Sequence, residues 1–339
     1  MLHIRDELTA RIETIVRPLI GTPNHICIID PPGHANVGDS AIFLGELDFL
    51  RRCYPKARLS FYDFRSYSDG ADRYIDQADV LLIHGGGNFG DIWLHHHRMR
   101  NHTLERFRHK KIIQMPQSIS FSSPEELAIT AGLIEKHPDF TVLTRDANSL
   151  KFAKEHFQCP SILCPDMAFA MNKITRLPPR ADAFCLLRTD KEVVADHDAI
   201  RAQLAEAGYR VEAMDWLKEH GGRATTIDRR ALDLTRQRPW LMAPLRTYLL
   251  GVRETYARER LTYGIDLLSI GKIVVTDRLH AHILAILLDI PNVVFDTWDG
   301  KVSALHNTWL RDKTVSRFVG GPADLRDAAR EMMAAYERC

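Results

Sequence analysis

The stretch that decides the fold runs from Lys272 to Pro291 and reads KIVVTDRLHAHILAILLDIP. Its β-branched start, 273–275, predicts a buried parallel strand, and the Ala- and Leu-rich part after His282 predicts a buried helix that ends before the proline. Residues 276–280 therefore form a strand-to-helix turn. Such turns lie at the carboxyl edge of an open sheet, where the helix N-terminus favours an anionic ligand.

Arg278 and His280 in this turn are the first candidate site residues. An arginine can hold an anion and a histidine can protonate it, so the pair suits an anionic substrate. A simpler interpretation is that Arg278 pairs with an acid such as Asp277 and that His280 only caps the helix. Both interpretations stay open until the remaining motifs are considered.

The composition is that of an ordinary globular protein and excludes several classes. The chain has 339 residues, 45% hydrophobic and 26% charged, which is enough for two domains of typical size. A net charge of +1 argues against a dedicated nucleic-acid binder. The charged N-terminal segment predicts no signal peptide, and no apolar run approaches the roughly 18 residues of a membrane span. The six cysteines lack C-x-x-C spacing, so we expect buried thiols and neither a disulfide framework nor a zinc site.

Two turns in the first half follow predicted strands. The first contains Asn36 and Asp39 at a helix start, and its spacing matches neither a P-loop nor G-x-G-x-x-G, so it predicts no nucleotide site. Asp39 either caps the helix or faces a bound hydroxyl group. The second turn contains the glycines 85–87 and then Asn88, which favours a close approach of the backbone to a ligand over an approach to a neighbouring element. The adjacent histidines 95–97 cannot share one helix face, so we expect a solvated or substrate-rim role, not a metal site.

Arg145 is a second arginine between a predicted strand and a predicted helix, as Arg278 is in the second half. Two such arginines at independent strand ends favour a functional role over a solvated one. Gln117 also follows a predicted strand, at 111–115.

The strand–helix pattern restarts after a Pro-rich segment, which predicts an α/β protein with two domains. We expect an N-terminal Rossmann-like lobe at 1–173, a linker at 174–182, a C-terminal Rossmann-like lobe at 183–320, and a C-terminal helix within 321–339. An Arg-rich insertion, 221–260, appears irregular and carries nine Arg against four acids. It either packs on the second lobe or contacts an anionic membrane surface or a lipid-linked substrate. Because the sequence shows no targeting signal, we expect a cytoplasmic protein, and membrane contact through the insertion would place it at the inner face of the membrane.

Seven motifs in order make the chain resemble the polysaccharide pyruvyl transferase family. Each motif is weak alone, but all seven occur in order at compatible spacing, and the resemblance covers about residues 25–310. The insertion and residues 297–301 depart from the family pattern. These departures bear on the identity of the acceptor more than on that of the donor. The motifs are Asn36–Asp39, His84–Asn88, Pro116–Ser118, Arg145–Asp146, Pro165–Asp166, Asp277–His280 and Gly300–Lys301.

The resemblance implies two lobes with a central cleft, similar to the GT-B glycosyltransferases. It also implies transfer of the pyruvyl group of phosphoenolpyruvate to two hydroxyls of a sugar in an exopolysaccharide or other cell-surface glycan, with formation of a pyruvate ketal and release of phosphate. Phosphoenolpyruvate is then a co-substrate, and no cofactor or metal is expected. The acceptor is a sugar or oligosaccharide that is free, polymeric or lipid-linked.

The candidate residues suit this chemistry, with His280 as proton donor and Asp39 as base. By motif match, the phosphoenolpyruvate-linked positions of the family are Arg145, Arg278, Leu279 and His280. We add Gly86, Gly87 and Asn88 to the donor side, and we assign Asn36, Asp39 and Gln117 to the acceptor side. Two rival functions remain, namely a GT-B glycosyltransferase that uses a nucleotide sugar and a non-catalytic sugar- or anion-binding protein.

Overall fold

A computed structural model describes residues 4–34, 36–188, 196–216, 223–311 and 314–338. These residues form a mixed α/β fold with two sheets in which every pair of neighbouring strands is parallel. The strands are β1 His25–Ile29, β2 Arg58–Tyr62, β3 Val80–Ile83, β4 Gly86–Phe89, β5 Lys111–Ile119, β6 Phe140–Thr144, β7 Ser161–Leu163, β8 Ala181–Leu186, β9 Val211–Ala213, β10 Gly271–Thr276, β11 Asn292–Val294 and β12 Ser316–Phe318.

Helices connect the strands, as parallel pairing requires. They are α1 Ile4–Ile20, α2 Val37–Cys53, α3 Asp72–Ile75, α4 Leu94–Arg106, α5 Pro124–Glu135, α6 Ala147–His156, α7 His197–Glu206, α8 Arg223–Gln237, α9 Met242–Leu268, α10 Leu279–Leu287, α11 Lys301–Trp309 and α12 Leu325–Glu337. None of the helices in the described ranges is long and apolar enough to cross a membrane.

The order of the strands places a topological switch point in each sheet. The first sheet has the order β2-β1-β3-β5-β6-β7, with β4 beside β5, and the second has the order β12-β11-β10-β8-β9. After β1 the chain adds β2 on one side and then β3 on the other, and after β8 it adds β9 on one side and then β10 on the other. The switch points therefore lie between β1 and β3 and between β8 and β10. In open α/β sheets, ligands bind outside the carboxyl ends of the strands at such points. Asp30 and His84 follow β1 and β3, and Asp277 follows β10, so these polar residues lie at the switch points.

The decisive stretch forms the predicted strand and helix, β10 and α10. Both are buried except at Lys272 and His280, because most of their residues are apolar. The two sheets are consistent with the predicted α/β class and with two lobes. The GT-B likeness and the domain boundaries stay predictions.

The Arg-rich insertion is more regular than predicted. From Arg223 it forms α8, a short 3-10 turn and most of α9. Pro239 opens the 3-10 turn, and Pro244 is the third residue of α9, where the backbone N–H has no partner in the helix anyway. The expectation of an irregular segment was therefore wrong, because these prolines lie where helices tolerate them.

Helix α9 packs on β2 of the first sheet and on α2, the helix that follows β1. Arg253 is buried there and donates to Asp63 at 2.9 Å. Arg51 and Glu254 form a second link between α2 and α9. Some of the arginines in the insertion thus hold the helix in place and are not solvated.

The described cysteines are free thiols, as expected. Cys27, Cys164 and Cys185 are buried, whereas Cys53 and Cys159 are half-buried. Cys339 lies outside the described residues.

Candidate active site

A buried carboxylate, Asp166, joins the turn that carries Arg145 to the turn that carries Arg278 and His280. Asp166, which follows β7, accepts a hydrogen bond from Nη1 of Arg145 at 2.8 Å and lies 3.6 Å from Nε2 of His280. The same His280 nitrogen is 3.4 Å from Nη1 of Arg145. Burial alone would raise the pKa of Asp166, but His280 and Arg145 lower it well below its ordinary value. Asp166 is therefore an ionised hub between residues from both sheets.

Arg145 is held rigidly at the end of β6. Its Nε donates to the Ser118 hydroxyl at 2.9 Å, and its backbone carbonyl accepts from the Trp309 indole at 2.7 Å. Its Nη2 makes no hydrogen bond with the residues that the structure describes. A Cβ added to Gly87 would stand 3.0 Å from this nitrogen, so the glycine leaves room beside it. One donor of a fixed guanidinium thus faces the glycine turn.

His280 lies against the first turn of α2. A Cβ added to Gly38 would stand 2.5 Å from the Cγ of His280 and 2.8 Å from its Cβ, closer than real contacts. Only a glycine therefore allows this approach of the imidazole to the α2 backbone. The contact brings His280 to the same helix turn as Asp39.

Gly38→Ala should reduce kcat by at least about tenfold, because the new methyl group displaces His280 from its position beside Asp166. In a helix interior the same substitution normally stabilises by about 0.5–1 kcal/mol. Gly132→Ala in α5 is the matched control, since an added Cβ there meets nothing within 4 Å. Steady-state kinetics and thermal melting of both variants provide the measurement. Equal activity of the two variants would show that the position of His280 does not matter.

Asp39 is surrounded by histidines. Nε2 of His34 is 3.5 Å from its carboxylate, and a Cβ added to Gly86 would stand 3.6 Å from its Oδ1. Burial raises the pKa of Asp39, but the charges of His34 and then of His280 outweigh burial and lower the pKa below its ordinary value. Asp39 is therefore a carboxylate at neutral pH, as a base must be.

A second carboxylate–imidazole pair lies behind Asp39. Nδ1 of His84 is 2.8 Å from Glu46, whose other oxygen accepts from the Gly85 amide at 2.9 Å. Both side chains are buried. Burial lowers the pKa of His84, but the attraction of Glu46, with smaller contributions from Asp39 and Asp30, raises it above its ordinary value. Glu46 lies two turns after Asp39 on α2, so one helix face supplies both carboxylates.

Glu46→Gln should destabilise the protein in a pH-dependent way. The raised pKa of His84 means that its charge stabilises the fold fully below the unfolded pKa of about 6.5, and that this contribution is lost as the pH rises through the folded pKa. We expect a loss of about 3 kcal/mol of unfolding free energy at low pH, shrinking as the pH rises. Urea denaturation across a pH series measures it, with Glu135→Gln on the surface of α5 as control. A difference independent of pH would contradict this assignment.

Asp30 closes the cluster at the end of β1. It has a left-handed backbone with φ of 61°, a conformation that is unfavourable for most side chains and that is concentrated at functional sites. Its carboxylate pairs with Nδ1 of His96 at 2.5 Å. His97 is buried against Glu126. The predicted solvated role was therefore wrong for His96 and His97, which are buried because they have carboxylate partners, whereas His95 is exposed.

Three further predicted residues make local hydrogen bonds. The Asn36 side chain accepts from the Gly38 amide and caps α2. The Gln117 side chain donates from Nε2 to Oδ1 of Asn88 at 2.8 Å, and its Oε1 accepts from the backbone N–H of Asn88 at 3.2 Å. Arg100 also donates to Oδ1 of Asn88. Asn88 lies within β4 and Gln117 within β5, so these bonds join the two strands where a turn was expected. The assigned substrate roles stay predictions.

Arg278 and Leu279 lie at the other switch point. Arg278 donates to Asp215 at 2.8 Å and is the N-terminal cap residue of α10. The Leu279 side chain is buried. Asp277 binds the Arg188 amide and His197 and thus secures the turn. The simpler interpretation, that Arg278 pairs with an acid, is therefore met by Asp215. Among the described residues, no group of His, Cys, Asp and Glu side chains could hold a metal ion.

Sequence reasoning missed the pairings of Asp166 and of Glu46 with His84. Asp166 belongs to the Pro165–Asp166 motif but has no role assigned from the sequence, although its position after a strand, like that of Arg145, is a usable signal. The Glu46 signal was its spacing from Asp39 on one helix face.

Comparison with known proteins identifies the family of the chain. The sequence profile described as polysaccharide pyruvyl transferase matches residues 36–299, which include every predicted site residue. The chain belongs to the polysaccharide pyruvyl transferase family. Membership makes it a transferase of pyruvyl groups with a sugar or polysaccharide as acceptor.

The chain is similar to several individual proteins. Pyruvyl transferase 1 of Schizosaccharomyces pombe is 29% identical over 305 residues, which cover 86% of this chain and 71% of that protein. General stress protein 30 of Bacillus subtilis is 27% identical over 306 residues, which cover 86% of this chain and 80% of that protein. The crystal structure of an uncharacterised protein of Klebsiella pneumoniae matches with a TM-score of 0.60 at 22% identity, and the match covers 92% of this chain and 98% of that protein. This likeness supports the fold alone.

Proposed function

We propose that this protein transfers the pyruvyl group of phosphoenolpyruvate to two hydroxyls of a glycan sugar, forming a pyruvate ketal and releasing phosphate. The observation that carries the proposal is the Arg145–Asp166–His280 cluster, which joins a cation, a carboxylate and an imidazole from both sheets. A small donor with a carboxylate and a phosphate needs fixed cationic donors, and the planar guanidinium can bind either group. Nη2 of Arg145 supplies one such donor.

The reaction requires two proton transfers that the residues of the cluster can perform. One sugar hydroxyl gives up a proton and attacks the central carbon of the donor, while a proton is added to the methylene carbon to make a methyl group. The second hydroxyl then displaces the phosphate, which leaves with the second proton as hydrogen phosphate. The charges balance, because a trianionic donor gives a monoanionic ketal and a dianionic phosphate.

We assign the proton added to the methylene carbon to His280 and the removal of a hydroxyl proton to Asp39. General acid–base catalysis of this kind contributes about 10²- to 10⁴-fold. The lowered pKa of Asp39 keeps it ionised at neutral pH, so that it is free to accept a proton. Asp166 acts through His280 and Arg145 as a positioning residue.

Thermal shift distinguishes this proposal from the glycosyltransferase alternative. A ligand that binds the folded state raises the melting temperature by mass action. Phosphoenolpyruvate should raise it, whereas a set of nucleotide sugars should not. Stabilisation by a nucleotide sugar alone would favour the alternative.

A further inference from the structure

Exposed apolar side chains concentrate on three segments beside the candidate active site. Five of the ten large hydrophobic side chains that are exposed in the described residues lie within 63–70, 93–95 and 234–240. They include Phe64, Trp93 and Trp240, which are 41%, 45% and 52% exposed. Exposed aromatic residues grouped in this way typically mark an interaction surface.

The segment 63–70 touches both of the other segments and joins them into one surface. The Phe64 ring lies 5.2 Å from that of His95. The Ser68 hydroxyl donates to the backbone carbonyl of Arg236 at 2.9 Å, and a Cβ added to Gly70 would stand 3.1 Å from Cγ of Pro239. We call this surface the aromatic–basic rim and define it by Phe64, Arg65, Trp93, Arg236, Arg238 and Trp240.

The rim is positively charged. Four arginines are exposed between Arg229 and Arg238, against two exposed acids, Asp233 among them and Asp69 in the segment 63–70. Arg65 lies over the ring of Phe64, with its guanidinium carbon 5.5 Å from the ring centroid. Aromatic side chains interleaved with arginines are the composition of surfaces that dock at the interface of an anionic bilayer, where the rings enter the headgroup region and the arginines attract anionic lipids.

The rim is continuous with the active site. The His95 ring is 4.1 Å from that of His96, and His96 pairs with Asp30 at the switch point of the first sheet. The His34 ring, which lies 6.3 Å from that of His96, leads on to Asp39. A bilayer docked on the rim would therefore lie beside the cluster that holds the proposed base.

We propose that the aromatic–basic rim docks this protein on an anionic phospholipid bilayer. If the proposed pyruvyl transfer is correct, docking presents the active site to a glycan acceptor that is attached to a lipid. Docking itself does not depend on the catalytic proposal and is tested without phosphoenolpyruvate.

Vesicle sedimentation of the full chain tests docking. The protein should sediment with vesicles of phosphatidylcholine and phosphatidylglycerol but not with vesicles of phosphatidylcholine alone, and added salt should weaken the binding. Arg236→Gln with Arg238→Gln should weaken it by about tenfold or more, because each arginine near an anionic surface contributes. Phe64→Ser with Trp240→Ser should weaken it by a similar factor.

Matched controls keep this test specific. Leu177→Ser removes a side chain that is 52% exposed, as Trp240 is, and Arg330→Gln removes an exposed arginine of α12. Both controls should sediment like the unchanged protein, and the rim variants should keep their melting temperature. Absence of sedimentation, equal binding to phosphatidylcholine alone, or equal weakening by the controls would overturn the proposal.

Discussion

Arg145→Lys should reduce kcat/KM for phosphoenolpyruvate by about 10²- to 10³-fold, the loss typical of removing a fixed donor from an electrostatic site. Lysine keeps the charge and can still pair with Asp166, but it cannot bind Asp166, Ser118 and the donor at the same time. Alanine would instead leave Asp166 buried without its cation, which costs about 3–5 kcal/mol of stability. Lysine is therefore the more informative substitution.

Steady-state kinetics and calorimetric titration with phosphoenolpyruvate measure this effect. Arg330→Lys, on the exposed surface of α12, is the matched control and should behave like the unchanged protein. An Arg145→Lys variant that binds phosphoenolpyruvate as tightly as the unchanged protein would contradict the assignment of Arg145 to the donor.

His280→Gln should lower kcat by about 10²- to 10⁴-fold while the affinity for phosphoenolpyruvate changes only a few-fold. Glutamine is similar in size and keeps a polar group near Asp166, but it cannot supply a proton at neutral pH. Rapid-mixing kinetics together with direct binding separate the two effects. His156→Gln on the exposed end of α6 is the control. An unchanged kcat would remove His280 from the proton transfer.

The strands and helices around the site could be predicted from local sequence. The apolar run of β10 and the Ala- and Leu-rich α10 have one plausible structure each, so the turn between them followed directly. Arg145 and His280 were chosen because strand ends of parallel sheets are where ligands bind. The structure brings these two residues together, which local patterns could only suggest.

The pairings across the fold could not be predicted in the same way. Glu46 and His84 are 38 residues apart, and the Arg145–His280 contact spans 135 residues. A buried acid has no local signature until its partner is known, because burial without a partner would be too costly. The burial of Arg253 in the insertion could not be predicted for the same reason, since its partner Asp63 is distant in the sequence.

The most direct test of the central claim follows the atoms of the donor by NMR in a reaction with phosphoenolpyruvate and a panel of glycan acceptors. We predict that each molecule of phosphate released is matched by one new ketal methyl group on the acceptor. His280→Gln should slow both signals together. Two results would contradict this mechanism. One is consumption of the acceptor while phosphoenolpyruvate stays intact, and the other is release of phosphate without a new ketal methyl group.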